Sequence, residues 1–251
     1  MPLSYGNPTS YYGGFGVKKR IQMMSDRVRL HGKTILDAGC GDGQYMEEIG
    51  KYTDSLCGVE IESERAAVAR AMTAREVISC DLSEMPFVDE FFDIIFCNEV
   101  LEHTDDDVTV LKEFRRVLKE DGCLVMYVPN RWYPIETHGA QIWGLSLSKP
   151  LFINYLPLVV RNRFCKAARV YTVSSIKRAL ADSGMELCHV SYIYPAFDKT
   201  GKKNLVLAQV MRRITGWLER TPFRKFGISI FLTAQKKDVE LGKREVCNGV
   251  D

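Results

Sequence analysis

The chain predicts an α/β fold: a doubly wound, mostly parallel seven-stranded sheet with an inserted lid after the fifth strand. Three observations carry that expectation. Strand-like and helix-like runs alternate from residue 34 to residue 128, as they do when helices form the crossovers of a parallel sheet. The first strand runs into a turn with glycines at alternate positions, Gly39, Gly41 and Gly43. The rhythm then breaks after Pro129 into a long segment rich in proline, aromatic and aliphatic residues, too long for an ordinary connection.

Element by element, residues 17–30 read as a helix ahead of the sheet and residues 34–38 as the first strand. A helix over 43–51, a strand over 56–60, a helix over 62–71 and strands over 76–80 and 91–97 follow. Residues 105–119 place Val108, Leu111, Val117 and Leu118 at helical spacing, an amphipathic pattern. Asp121-Gly122 is a turn signal leading into a fifth strand over 123–128. The segment from 129 to about 170 reads as a partly helical insertion over the site. A helix over 172–183, a strand over 185–194, an amphipathic helix over 205–220 and a strand over 228–234 complete the pattern. The organisation expected is an N-terminal segment and helix over 1–32, a core domain over 33–236 with its lid at about 129–171, and a polar tail over 237–251.

Composition narrows the classes. A chain of 251 residues with 46% hydrophobic content fits one α/β domain with additions. A net charge of +2 is too small for a general nucleic-acid binder, so no nucleic-acid partner is expected. The eight cysteines include no C-x-x-C pair, and most stand in apolar runs, which reads as reduced core residues rather than a disulfide framework or zinc site. No secretory signal and no membrane-spanning run is visible; the apolar stretch 151–160 is short and interrupted by Asn154 and Pro157. A soluble, cytoplasmic chain is expected, with peripheral membrane contact left open.

The run Asp37-Ala38-Gly39-Cys40-Gly41-Asp42-Gly43 carries the first chemical signal. Glycines there let backbone approach a ligand closely, and the helix that follows offers free N–H groups. The dinucleotide fingerprint G-x-G-x-x-G would need a glycine where Gln44 stands, and Asp37 at the strand end would repel a pyrophosphate. A nicotinamide-dependent oxidoreductase is therefore the weaker alternative. The motif resembles instead the first motif of class I S-adenosylmethionine (SAM) methyltransferases. That resemblance implies S-adenosyl-L-methionine as cofactor, with Asp37, Gly39, Cys40, Gly41 and Gly43 along its amino-acid portion and sugar.

Glu60, twenty-one residues after Gly39 at the end of the second strand, is placed to accept hydrogen bonds from both hydroxyls of a ribose, with Ile61 next to it. Asp81 and Leu82 close the third strand; the resemblance implies an acidic contact to the adenine amino group and an apolar contact to the base, while a turn aspartate is the competing reading of Asp81. The run from Phe92-Asp93 through Val100-Leu101-Glu102-His103 closely resembles the type-11 methyltransferase domain family. The likeness covers about residues 33–130 and implies a Rossmann-like SAM methyltransferase fold, with Asn98 and Glu99 under the methionine part of the cofactor.

Glu99 and Glu102 are spaced i, i+3 and could share a helical face, with His103 adjacent. Ubiquinone-pathway O-methyltransferases and small-RNA 2′-O-methyltransferases look similar here and use such a cluster for a divalent ion, the latter with a further histidine for which His138 is placed. The same run occurs in relatives without metal, and no metal is assigned. His138, in the segment expected to overhang the methyl donor, is the foremost candidate for a general base, with His103 second. Two basic clusters, Arg161, Arg163, Lys166 and Arg169, and Arg212, Arg213, Arg220, Arg224 and Lys225, read as solvated faces or as a surface for anionic lipid. The function expected is methyl transfer from SAM to a small or lipid-like acceptor, most readily on oxygen. A catalytically silent SAM-binding protein is the alternative.

Overall fold

The computed structural model describes residues 14–142 and 145–237. The first thirteen residues of the expected N-terminal segment and all but the first residue of the expected polar tail lie outside the described residues. Helix α1 (Gly14–Ser25) is followed by β1 (Ile35–Ala38), α2 (Gln44–Ile49), β2 (Leu56–Val59), α3 (Ser63–Thr73), β3 (Val77–Ile78) and β4 (Phe92–Asn98). A single 3-10 turn, Leu101–His103, leads to α4 (Asp107–Val117) and β5 (Leu118–Pro129). The insertion carries β6 (Ala140–Ile142), β7 (Leu145–Leu147) and α5 (Leu158–Phe164); then come α6 (Val173–Asp182), β8 (Met185–Ile193), α7 (Asp198–Lys203), α8 (Leu205–Leu218) and β9 (Ser229–Lys236).

Seven strands form one sheet in the order β3-β2-β1-β4-β5-β9-β8. The first five pair in parallel, and β9 lies antiparallel between β5 and β8. The strands are apolar on both faces because helices cover both. Leu36, Ala38, Ile95 and Met126 pack into the core on the side of α4 and α6, while Ile35, Ile94, Phe96 and Tyr127 pack on the side of α1, α2 and α3. The expected seven-stranded, mostly parallel fold is the one observed.

Local chemistry explains the boundaries. Asp106 caps α4 by accepting from the Val108 N–H at 3.0 Å, and Thr172 and Ser175 form a reciprocal capping box at the start of α6. The Asp121-Gly122 signal does not end a connection before β5. It lies inside the strand, in a bulge where the register jumps from Phe92↔Leu118 to Ile94↔Cys123. Lys119 on that bulge reaches the Asp93 carboxylate at 3.0 Å. Cys40, Cys57, Cys80, Cys97, Cys165 and Cys188 are free thiols, as expected, whereas Cys123 is disulfide-bonded.

Candidate active site

The parallel register of β1 on β4, Asp37↔Phe96 and Ala38↔Cys97, brings the glycine turn beside Asn98 and the loop that follows it. Gly39, Gly41 and Gly43 all take left-handed backbone, with φ of +78°, +57° and +86°. The glycine at 39 is also required by protein packing, since a Cβ there would stand 2.4 Å from Val100 Cγ2. The turn thus packs directly on the loop after β4, and the three glycines are demanded by the backbone before any ligand arrives.

Glu60 is buried and organises this turn. Its Oε2 accepts from the Gly41 N–H at 2.9 Å and its Oε1 from the Glu62 N–H at 3.0 Å. Each oxygen keeps a further lone pair. Asp37 is sealed from solvent and burial, then neighbouring Glu60, pushes its carboxyl up to about 8. Its Oδ2 and the Oδ1 of Asn98 are buried without a hydrogen-bond partner, an expensive arrangement. Arg65, which sequence reasoning missed, donates from Nε to Asp42 Oδ1 at 3.1 Å over the same turn.

On the adenine side, Ile61 is 61% exposed beyond β2 whereas Leu82 lies in the core. Asp81 Oδ1 accepts from both the N–H and the hydroxyl of Ser83 at 2.7 Å, an Asx turn that occupies one of its two oxygens.

Glu99 and Glu102 do not share a helical face. Glu99 sits in left-handed backbone at φ +54°, and its carboxylate accepts from the Ser229 hydroxyl and lies 3.8 Å from Arg20 Nη2. Glu102 begins no helix either; it stands in the short 3-10 turn, with its side chain sealed from solvent and neither oxygen hydrogen-bonded. Burial, then the nearby Glu99, pushes its carboxyl well above the ordinary range.

Two histidines converge on Glu102. His103 Nε2 and His138 Nε2 lie 3.8 and 3.9 Å from Glu102 Oε1. His103 Nδ1 is 2.9 Å from the Ala167 carbonyl, which can only accept, so Nδ1 carries the proton and Nε2 is left basic. Burial, then the charge of His138, holds the His103 imidazole below its ordinary value. His138 Nδ1 faces Glu136 Oε1 at 3.4 Å, and the His138 N–H donates to the same oxygen at 2.9 Å. Ligand atoms of Glu102, His103 and His138 all lie within 4.8 Å of one another. A carboxylate with two imidazoles, each held through its other nitrogen, is a donor set that fits a divalent ion.

The lid holds this geometry. It springs from Asn130 and returns at Tyr171, which are bridged as parallel neighbours. On its return the Arg169 N–H donates to the Glu102 carbonyl at 3.1 Å, and the Arg169 guanidinium donates to the Leu101 and Thr104 carbonyls and to Asp107. Arg161 is not on a solvated face, as the basic run implied. It is completely buried and donates to Glu136 Oε2 at 2.6 Å, to Asn154 Oδ1 at 3.1 Å and to the Ala168 carbonyl at 2.9 Å. Although burial opposes it, hydrogen bonds from His138 and Arg161 hold the Glu136 carboxyl below the ordinary range. An open hollow of about 320 Å³ between α4 and α6, lined by Asp105, Asp106 and Arg178 among others, includes none of the glycine-turn residues.

Residues 36–126 match the family model described as "Methyltransferase domain". The chain is 30% identical over 118 residues to the ubiquinone biosynthesis O-methyltransferase of Pseudomonas paraeruginosa, covering 45% of this chain and 51% of that protein. The chain thus spans about half the length of the curated relatives it matches. Among solved structures, an S-adenosylmethionine-dependent methyltransferase from Mesorhizobium loti superposes with a TM-score of 0.59 at 18% identity, over 86% of this chain and 96% of that one. The [4+2]-cyclase SpnF superposes equally well, with a TM-score of 0.59 at 16% identity over 92% of this chain and 85% of that one. At such identities the likeness is one of fold.

Proposed function

We propose, from the match of residues 36–126 to the methyltransferase domain model, that the chain moves a methyl group from S-adenosyl-L-methionine to an oxygen of a small or lipid-like acceptor. One observation carries the reading. Asp37 Oδ2 and Asn98 Oδ1, at the ends of adjacent parallel strands beside the glycine turn, are buried acceptors with no donor. An amino-acid ammonium and sugar hydroxyls would supply the donors that these two atoms lack, and the remaining lone pairs of Glu60 can accept further hydroxyls. A dinucleotide turn would need a glycine where Gln44 stands, which disfavours the nicotinamide reading.

Asp37, Gly39, Cys40, Gly41, Gly43 and Glu60 hold the amino-acid portion and ribose. Ile61 lies over the base, with Leu82 behind it in the core, and Asp81 keeps one oxygen for the adenine amino group. Asn98 and Glu99 flank the methionine portion. The sulfonium supplies an already activated methyl group, so the chain's work is to align the acceptor and exclude water. His138 Nε2, left basic by the Glu136 contact at Nδ1, takes the acceptor's proton, and His103 Nε2 is the second candidate.

A second reading of the same three residues has its own support in the unpartnered oxygens of buried Glu102. In it, Glu102, His103 and His138 would hold a divalent ion, which would lower the pKa of a bound acceptor hydroxyl. Activity after exhaustive chelation separates the two: full activity favours the base, and activity lost on chelation and restored by magnesium or manganese favours the ion.

The acceptor is found by incubating the chain and labelled SAM with cell-extract fractions in which lipids are separated from water-soluble metabolites. Label is expected in the lipid or small-molecule fraction. SAM binding with no label in any fraction is the outcome for a silent binding protein and overturns the enzymatic reading.

A further inference from the structure

Helix α8 packs the wrong way round for a surface helix of a globular domain. Such helices turn their large apolar residues inward. The buried residues of α8 are the small Ala208 and Thr215. Val206, Val210, Ile214 and Trp217, at spacings of four, four and three, share the opposite face and are 69%, 46%, 54% and 63% exposed. A continuous apolar stripe left in water marks a contact surface.

The stripe runs on into the 3-10 turn Pro222–Phe226, where Phe223 and Phe226 are exposed. That turn is anchored at the root of the lid: Asn130 Nδ2 donates to the Lys225 and Gly227 carbonyls at 2.8 and 2.7 Å, and the Tyr194 hydroxyl donates to the Phe223 carbonyl at 2.8 Å. Charge follows the same border. Arg213, Arg220, Arg224 and Lys225 are exposed and pair with no carboxylate among the described residues. The single acidic residue between 205 and 226, Glu219, is engaged by Lys19 at 2.6 Å and by the Tyr194 N–H at 2.8 Å. No helix among the described residues is long and apolar enough to cross a membrane.

We propose that the outer face of α8 and the adjoining turn dock on an anionic lipid bilayer, the apolar stripe entering the headgroup boundary and the cationic border meeting lipid phosphates. A two-signal surface of this kind joins apolar burial to charge attraction, and the second part weakens with salt. A second protein surface would satisfy the stripe but has no use for four exposed cations on one border unless it is itself acidic. Docking through the turn puts the lid root at the membrane, where a lipid-like acceptor would enter. That link to the acceptor rests on the function proposed above; the docking itself does not.

The test is co-sedimentation of the full chain with vesicles of phosphatidylcholine alone and with phosphatidylglycerol added. The chain is expected to pellet with the anionic vesicles only, less so at high salt. Ile214→Glu and Trp217→Glu should each lower the bound fraction about tenfold, and Arg213→Glu with Arg220→Glu should do so at low salt. Calorimetric SAM affinity of the same variants reports that they are folded and keeps failure of docking distinct from failure of the enzymatic reading. No pelleting, equal pelleting on neutral vesicles, or variants that bind as wild type does would each overturn the proposal. So would light scattering that shows a stable dimer dissociated by Ile214→Glu, since a second copy would then cover the face.

Discussion

Arg161 and Glu136 form a salt bridge of 2.6 Å with both side chains sealed from solvent. The pair stands in for a core that the lid lacks, because the apolar cluster there consists of Ala140, Ile153 and Cys165 with Phe164 packed against it. Breaking such a pair strands a buried charge and costs about 3–5 kcal/mol. Arg161→Ala is therefore expected to destabilise the chain by about 3 kcal/mol, more than Arg161→Ala with Glu136→Ala in combination. Denaturant unfolding of the single and double variants checks the order; equal stabilities would contradict it.

The same bridge fixes His138 through Glu136. His138→Ala is expected to lower turnover by at least about a hundredfold, the usual worth of a positioned proton acceptor, while SAM affinity stays unchanged. Steady-state kinetics with calorimetry distinguishes the two quantities. Retained turnover would remove His138 from the reaction, and chelation decides between its roles as base and as ligand.

Asp37 makes stability depend on pH. Burial first, and Glu60 second, raises its carboxyl from 3.8 to about 8, so between about pH 4 and 8 the folded chain keeps a proton that the unfolded chain has released. Stability present below that window is lost as pH rises through it. Without cofactor, the melting temperature of wild type should fall across the window more steeply than that of Asp37→Asn, which does not titrate. Parallel curves for the two proteins would contradict the assignment.

Much of this was legible in the residues and some of it was not. The alternation of apolar strands with amphipathic helices is local, and it located every strand of the main sheet, though β3 is reduced to Val77–Ile78. The glycine turn and Glu60 were legible because backbone at positive φ and a strand-end carboxylate leave marks at fixed spacing. The i, i+3 spacing of Glu99 and Glu102 misled, because a helix was assumed where the chain makes a left-handed residue and a 3-10 turn. Arg161 misled for the opposite reason. Its basic neighbours Arg163 and Lys166 are exposed, and the carboxylate that buries it lies twenty-five residues earlier in the chain. The convergence of His138 on Glu102 and His103 likewise depends on the path of the lid, which no local period records.

The most direct measurement is calorimetric titration of S-adenosyl-L-methionine into wild type and Glu60→Ala. Wild type is expected to bind saturably, and the variant at least about tenfold more weakly, since it loses both the proposed ribose acceptor and the carboxylate that holds the Gly41 and Glu62 N–H groups. No binding to wild type, or the same affinity in Glu60→Ala, would contradict a SAM site built on the glycine turn.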